Sequence, residues 1–169
     1  MKTRLIFTVL LCLSVFSFAQ QSSIDFEIKN LGVTVDGHFN TFTINTAFSS
    51  DGTLTSILGK ITVSSIVTGI DSRDEHLLEE DYFNAQKFKY ILLESTSINK
   101  LTNNSYTVKA NLTIKGKTKA VNIKVTVDKS TDVYRIKSNF EINRKDFDVG
   151  GSSFVMSKTV KVIVNYYHN

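Results

Sequence analysis

Hydrophobic and polar residues alternate along most of this chain with a repeat of two. Such a repeat is typical of β-strands, because successive side chains point to opposite faces of a sheet. Each predicted strand therefore has one apolar face and one polar face. The apolar positions fall into eight runs: Ile24–Ile28, Phe42–Phe48, Ile57–Val63, Ile91–Ser95, Val108–Ile114, Val121–Val127, Tyr134–Ile142 and Val160–Tyr166.

The breaks between several runs are short and polar. Ser50–Gly52, Asn103–Asn104 and Lys115–Lys117 each have the residues and the length of a hairpin turn. Longer connections are expected at Asp128–Asp132 and at Gly150–Ser153. Hairpin turns join antiparallel neighbours, so the sequence predicts an all-β, antiparallel protein.

The apolar faces need cover, which can come from two stacked sheets or from one sheet closed on itself. The chain contains no proline, so it cannot use proline to protect exposed strand edges. Closure removes such edges. This favours a barrel of about eight strands.

One segment departs from the alternation and predicts a short helix near residues 72–81. Asp71 or Ser72 can cap its start, and acidic residues in the first turn favour the helix dipole. Leu77 and Leu78 form a narrow apolar face. A single amphipathic helix between two strands of a barrel is expected to act as a lid over one end, which makes the barrel interior the expected seat of function.

The first residues resemble a secretory signal. Lys2 and Arg4 precede the apolar run Leu5–Phe18, and Ala19 offers a cleavage position. We therefore expect a signal peptide over residues 1–19, one domain over residues 20–169, and a periplasmic or secreted location. The run is short for a membrane span.

Composition narrows the partners. The formal net charge is +4, and removing the two basic residues of the signal leaves +2. The remaining basic residues are scattered, which argues against nucleic acid as a partner. No later apolar run is long enough for an integral membrane span. The single cysteine, Cys12, lies in the signal, so the mature domain would have no disulfide and can fold without one at this length.

Arg73, Asp74 and His76 are the densest group of chemically capable side chains. His76 and Glu80 have the one-turn spacing that can present ligands to a metal. The plainer interpretation is a structural knot, because a catalytic metal usually needs three protein ligands. The sequence predicts no metal, no cofactor and no catalytic residue, and it contains none of the common nucleotide-binding or hydrolase motifs.

A second charged segment, Arg144–Asp148, lies at a strand end. It can be a solvated loop held by one ion pair. Alternatively, it can form a basic rim that meets an anionic head group.

Six motifs in order and in register resemble the YceI-like family of exported, lipocalin-like proteins associated with polyisoprenoids. The resemblance covers residues 23–164. The motifs are Asn30–Phe39, Ile66–Gly69, Arg73–Leu77, Asp81–Phe83, Leu112–Lys119 and Asn143–Phe147.

The resemblance implies an eight-stranded, lipocalin-like antiparallel barrel. Its cavity is expected to hold an isoprenoid quinone, a polyprenyl phosphate, a fatty amide or a similar long-tailed lipid. Asp36 and His38 stand where the family often has basic residues, which predicts a neutral or less anionic head group. Asp148 replaces an expected glycine, which predicts an altered loop there.

The inward-facing positions of the strands, with two residues of the lid region, are the candidate ligand-binding residues. Small inward residues such as Gly59, Ser95, Ala110 and Ser138 favour a hollow interior. The candidates are Phe26, Phe42, Ile44, Ile61, Val63, Leu77, Phe83, Leu93, Val108, Ala110, Leu112, Val125, Phe140 and Val162.

Three functions follow from these features. The first is an exported, non-enzymatic lipid-binding protein that acts as a carrier or a store. The second is an enzyme that modifies a lipid or small molecule with Arg73, Asp74 and His76. The third is a stress or interaction protein whose barrel is filled. A homodimer stays an open alternative for its assembly.

Overall fold

The computed structural model describes residues 21–129, 133–151 and 153–168. The predicted signal segment, residues 1–19, lies outside these ranges. The described chain forms ten strands, one α-helix and two 3₁₀ helices. The strands are β1 Ser23–Asn30, β2 Val33–Phe39, β3 Phe42–Phe48, β4 Leu54–Thr62, β5 Ile66–Val67, β6 Tyr90–Lys100, β7 Ser105–Ile114, β8 Lys117–Lys129, β9 Tyr134–Asn143 and β10 Met156–His168; the helices are α1 Asp71–Leu77 and the 3₁₀ turns Val63–Ser65 and Arg144–Phe147.

All ten strands belong to one antiparallel sheet in the order β3-β4-β6-β7-β8-β9-β10-β1-β2-β5. The predicted all-β, antiparallel class is therefore confirmed. The tight turn at Lys115–Gly116 joins β7 to β8, and both residues have the positive φ angles that a two-residue hairpin requires.

The expected number of eight strands is wrong, because β2 and β5 were not predicted. In β2, Gly37 stands at an apolar position between Val35 and Phe39, and this glycine interrupts the apolar repeat. β5 has only two residues, so it is too short to show a repeat.

The sheet curls into a half-barrel rather than a barrel closed by backbone pairing. Its β3 edge meets the ends of β9 and β10 through side chains. Thr46 Oγ1 lies 3.1 Å from His168 Nδ1, and the Phe48 ring stacks on Tyr134 at 4.3 Å between centroids. Side-chain packing thus completes the wall at this seam.

The helix α1 is shorter than the predicted 72–81, and Ile70, rather than Asp71 or Ser72, occupies the N-cap. The helix ends at Leu77 because later backbone N–H groups turn back onto its last carbonyls. Phe83 N donates to Leu77 O at 3.1 Å, and Ala85 N donates to Leu78 O at 2.9 Å. The chain from 78 onward is therefore a series of turns.

The two ends of the half-barrel differ. We call the end that carries α1, the β1–β2 turn and the Arg144–Phe147 turn the helix end. Buried Phe147 and Val63 belong to a cluster at this end, where Leu77 and Phe83 pack against it. A second cluster, around Tyr106, fills the opposite end.

Candidate ligand-binding cavity

A cavity of about 230 Å³ lies inside the curled sheet between the two clusters. Apolar side chains from nearly every strand form its wall. For comparison, an engineered apolar cavity of ~150 Å³ accommodates benzene. The space is therefore larger than an ordinary packing defect, since native interiors have few voids larger than a water molecule.

The exposure pattern of the wall agrees with a hollow interior. Phe26, Ile44, Leu93 and Val162 point inward and line the cavity, yet each is only partly buried. In a solidly packed barrel these side chains would be covered by one another. The observed middle of the molecule is therefore open rather than filled by its own side chains.

Ten of the fourteen candidate residues line this cavity, and four do not. Val108 and Ala110 are 0% and 1% exposed and pack within the cluster at the opposite end. Val63 is buried in the helix-end cluster, and Phe42 packs against that cluster. Contact with a ligand stays a prediction for the ten that line the cavity: Phe26, Ile44, Ile61, Leu77, Phe83, Leu93, Leu112, Val125, Phe140 and Val162.

Sequence reasoning missed other members of the wall. Ile28, Ile136 and Val160 line the cavity, and the same alternation that identified their neighbours could have found them. Val35 also lines it, but it lies on the unpredicted strand β2. Of the small residues expected to leave the interior hollow, Gly59 and Ser138 are in the wall, while Ser95 and Ala110 are not.

Gly37 shapes one side of the cavity. It pairs with Phe26 across β1 and β2, and a Cβ atom at this position would lie 2.3 Å from the Phe26 ring. The ring therefore occupies the space that a side chain on β2 would fill. This close approach keeps the Phe26 ring flat against the wall.

The charged group on α1 forms a structural knot. Arg73 donates from Nη2 to Thr68 O and from Nε to Thr68 Oγ1, both at 2.7 Å. Asp74 accepts from Thr68 N at 2.9 Å and from the Thr68 hydroxyl. These bonds tie the first turn of α1 to the residue that follows β5.

His76 does not join this knot. Its Nδ1 lies 2.8 Å from Glu79 Oε2, and both side chains are more than half exposed. In the described parts of the chain, no group of three or more His, Cys, Asp or Glu side chains is placed to hold a metal ion. The geometry therefore favours the structural interpretation of this segment.

Lys145, Asp146 and Asp148 are exposed, as the interpretation of a solvated segment expects, but Arg144 is not solvated, and the interpretation needs correction at this residue. Arg144 is 3% exposed, it lines the cavity, and all five of its N–H donors can be matched to backbone carbonyls. Burial lowers the pKa of its guanidinium, and Tyr82 opposes that change. The acceptors are Val149 O (2.6 Å), Ser157 O (2.8 Å), Met156 O (3.1 Å), Gly151 O (3.2 Å) and Ser153 O (3.3 Å).

These bonds give Arg144 an organising role. One side chain gathers carbonyls from both sides of the connection between the 3₁₀ turn and β10. Because the donors of a guanidinium point in fixed directions, the residues that supply these five carbonyls are held in one arrangement at the helix end.

Asp148 follows the same turn in the left-handed region, with φ +54°. Most side chains are disfavoured in this conformation, whereas glycine adopts it freely, which explains the glycine expected there. The Lys117 ammonium pairs with the Asp148 carboxylate, and this hydrogen bond lowers the pKa of Asp148.

Most polar groups of the wall already have partners, but Asn30 does not fit this pattern. Its Oδ1 atom is buried and has no hydrogen-bond partner in the described chain. Asn30 is the last residue of β1 and lines the cavity at the helix end. Asp36 and His38, in contrast, are exposed on β2 and do not line the cavity.

Comparison with known proteins identifies the relatives of this chain. The family model described as a YceI-like domain matches residues 18–167. A UPF0312 protein of Yersinia pestis is 30% identical over 154 residues, which cover 86% of this chain and 80% of the relative.

Solved structures share the fold. Burkholderia cenocepacia BcnA superposes with a TM-score of 0.82 at 23% identity, covering 88% of this chain and 96% of that one. The Campylobacter jejuni YceI protein gives 0.75 at 22% identity, with 98% of each chain covered. A polyisoprenoid-binding domain from Saccharophagus degradans gives 0.70 at 18% identity, covering 87% and 93%.

Proposed function

The chain belongs to the YceI-like family, and from that premise we propose that it is an exported protein that binds the tail of a long-chain isoprenoid lipid. The cavity inside the half-barrel is the observation that carries this proposal. In this role the protein is a carrier or a store and has no enzymatic activity. A polyisoprenoid-binding domain with the same fold supports the ligand class.

The free energy available from the cavity sets the kind of ligand. Scaling from the ~150 Å³ that holds the six carbons of benzene, a cavity of about 230 Å³ encloses about nine carbons. At ~0.8 kcal/mol per buried CH₂, nine carbons contribute about 7 kcal/mol. Association costs about 4–15 kcal/mol in lost freedom, so a shorter tail leaves little net affinity.

A longer tail would bind more tightly only where side chains of the cavity wall move to make room for it. Partly buried rings such as Phe83 and Phe140 are the side chains that can move in this way. We therefore expect affinity to rise steeply up to about two isoprene units and more slowly beyond them.

The wall also gives the ligand a direction. The apolar cluster around Tyr106 closes the opposite end, whereas Asn30 and Arg144 place polar groups at the helix end. A polar head belongs at the helix end because Asn30 Oδ1 can accept a hydrogen bond from it. Since the Arg144 donors are already used, an uncharged head with a hydroxyl fits this end better than a phosphate.

The family and the first residues of the sequence support a proposed periplasmic location. Members of the family are generally periplasmic. Among residues 21–129, 133–151 and 153–168, no helix has the length and the hydropathy to cross a bilayer. The proposed signal peptide over residues 1–19 would deliver the protein out of the cytoplasm.

The test is a titration of the purified protein with isoprenols of increasing length, followed by isothermal calorimetry. We expect saturable binding of one ligand per protein, and an affinity that rises with tail length. A straight-chain alcohol of equal carbon number is the control for non-specific hydrophobic binding. Equal weak, non-saturable uptake of every alcohol would contradict a preformed cavity.

A further inference from the structure

The most exposed apolar side chains of the described chain are gathered at one place. Phe154 is 98% exposed, Leu31 is 74% exposed and Val33 is 67% exposed. Val155, at 53%, lies beside them. We call these four residues the apolar tip.

The tip is formed by two loops that are joined through their backbones. Leu31 N donates to Val155 O at 2.9 Å, which fixes the β1–β2 turn beside the loop that precedes β10. Arg144 also holds the same loop, through hydrogen bonds from its guanidinium to the carbonyls of Ser153 and Met156. The tip is therefore a supported surface and not the free end of a loop.

Leu31 is held there at a conformational cost. Its φ is +52°, in the left-handed region that disfavours a leucine. Its side chain is nevertheless mostly exposed, so packing of this side chain within the chain gives little compensation for the strain. An apolar side chain presented in this way is explained by a partner outside the chain.

The charge around the tip identifies that partner. A shallow groove beside Phe154 is lined by Lys29, Lys145 and Lys158, and by no acidic residue. All three lysines are exposed. Exposed apolar side chains beside three exposed lysines match an anionic bilayer, whose head groups attract the lysines while its interior takes up the apolar side chains.

The tip also lies next to the cavity. Met156 lines both the groove and the cavity, and Asn30, next to Leu31 in the chain, lines the cavity. The acidic residues of α1 are at the same end and would be repelled by anionic head groups. Contact with an anionic bilayer would therefore involve the loop side of that end and not the helix.

We propose that the apolar tip and the three lysines form a docking surface for anionic membranes, which sets the helix end of the cavity against the bilayer. The proposal depends on the surface residues and not on the nature of the cargo. Its failure and the failure of the proposed function are therefore separable.

The experiment is co-sedimentation of the protein with phosphatidylcholine vesicles, with and without phosphatidylglycerol. We expect binding that requires phosphatidylglycerol and weakens as salt is added. Replacing one lysine with glutamine should lower the partition coefficient about fivefold, since a basic residue near such a surface contributes ~1 kcal/mol. The variants Phe154→Ser and Leu31→Ser should each lower it about tenfold to a hundredfold, because full burial of such a side chain contributes ~1.5–3 kcal/mol.

Matched variants at other surfaces serve as controls. Leu101→Ser removes an exposed leucine at the opposite end, and Leu92→Ser removes one from the outer face of β6. Both should bind vesicles like the unaltered protein. Circular dichroism would verify that every variant is folded.

Three results would overturn the proposal. They are equal binding to neutral and anionic vesicles, equal losses in the tip and control variants, and no vesicle binding at all. Self-association in the absence of vesicles that depends on Phe154 would instead assign the surface to a homodimer. Tip variants should still bind isoprenols in solution. This result would support the proposed isoprenoid binding even where membrane docking is lost.

Discussion

Filling the cavity from its wall should remove lipid binding in proportion to the volume added. Gly59 lies in the middle of β4, where it pairs with Ile44 and Leu93, both of which also line the cavity. A Cβ atom at Gly59 would meet only Leu93 Cβ, at 3.5 Å, which is an ordinary contact. A larger side chain at this position would therefore extend into the empty space without displacing backbone.

The expected losses follow from carbon counts. Alanine, leucine and phenylalanine at this position add one, four and seven side-chain carbons to a cavity that encloses about nine by the benzene scale. Each displaced CH₂ removes ~0.8 kcal/mol of ligand burial, so the losses are about 0.8, 3 and 6 kcal/mol. These correspond to affinity reductions of about 4-fold, 200-fold and ten-thousand-fold, as upper values for a tail that cannot shift.

The assay is the isoprenol titration applied to Gly59→Ala, Gly59→Leu and Gly59→Phe. Thr43→Phe is the matched control, because Thr43 is exposed on the neighbouring strand and lies beside Lys60 rather than beside the cavity. Thermal unfolding checks the fold, and the larger side chains should not lower the midpoint because they fill an existing void. Unchanged affinity across the series, or an equal loss in Thr43→Phe, would refute a ligand inside the barrel.

Other variants test separate parts of the account. Gly37→Ala should force the Phe26 ring away from β2, since the new Cβ would lie 2.3 Å from the ring, and the isoprenol affinity measured by calorimetry should fall. Adding Phe26→Leu to the same chain should restore the affinity, and a lack of restoration would contradict the steric reason. Asn30→Leu should weaken binding of an isoprenol about fivefold, the equivalent of one hydrogen bond of ~1 kcal/mol, but should not weaken binding of the hydrocarbon with the same carbon chain. Equal effects on both ligands would show that Asn30 does not contact the hydroxyl head group. Arg144→Met should lower the free energy of unfolding in urea by at least about 3 kcal/mol, because several carbonyls lose their donor. Lys145 is a neighbouring exposed residue, and Lys145→Met should change this free energy by less than about 0.5 kcal/mol. Similar values for the two variants would contradict the organising role of Arg144.

The alternation of side chains is sufficient to predict the strands whose inner face is continuous. Seven of the eight apolar runs lie wholly in strands, the run Ile57–Val63 extends one residue beyond β4, and Lys115–Gly116 forms the expected hairpin. β2 escaped prediction for a tertiary reason. Its apolar pattern is broken by Gly37, and glycine is required there by the ring of Phe26 on the neighbouring strand.

The same alternation separates inward from outward positions but carries no information on depth along the barrel. Val108 and Val125 are both inward residues of neighbouring strands, yet only Val125 reaches the cavity. Which inward residues meet empty space depends on where the two packed clusters end, and that is set by the whole sheet.

Arg144 shows a second limit of local reasoning. A charged segment at a strand end usually lies in solvent, and nothing in the neighbouring residues contradicts that reading. The carbonyls that satisfy the guanidinium lie 5–13 residues further along the chain. Only the folded connection brings them together around one side chain.

The most direct test is extraction of the protein, purified from its native host without detergent, with organic solvent, followed by mass spectrometry of the extract. The account predicts one long-chain isoprenoid per protein molecule, and its loss from Gly59→Phe but not from Thr43→Phe. An extract that contains no long-chained lipid, from a protein that also fails to take up isoprenols on titration, would contradict the account.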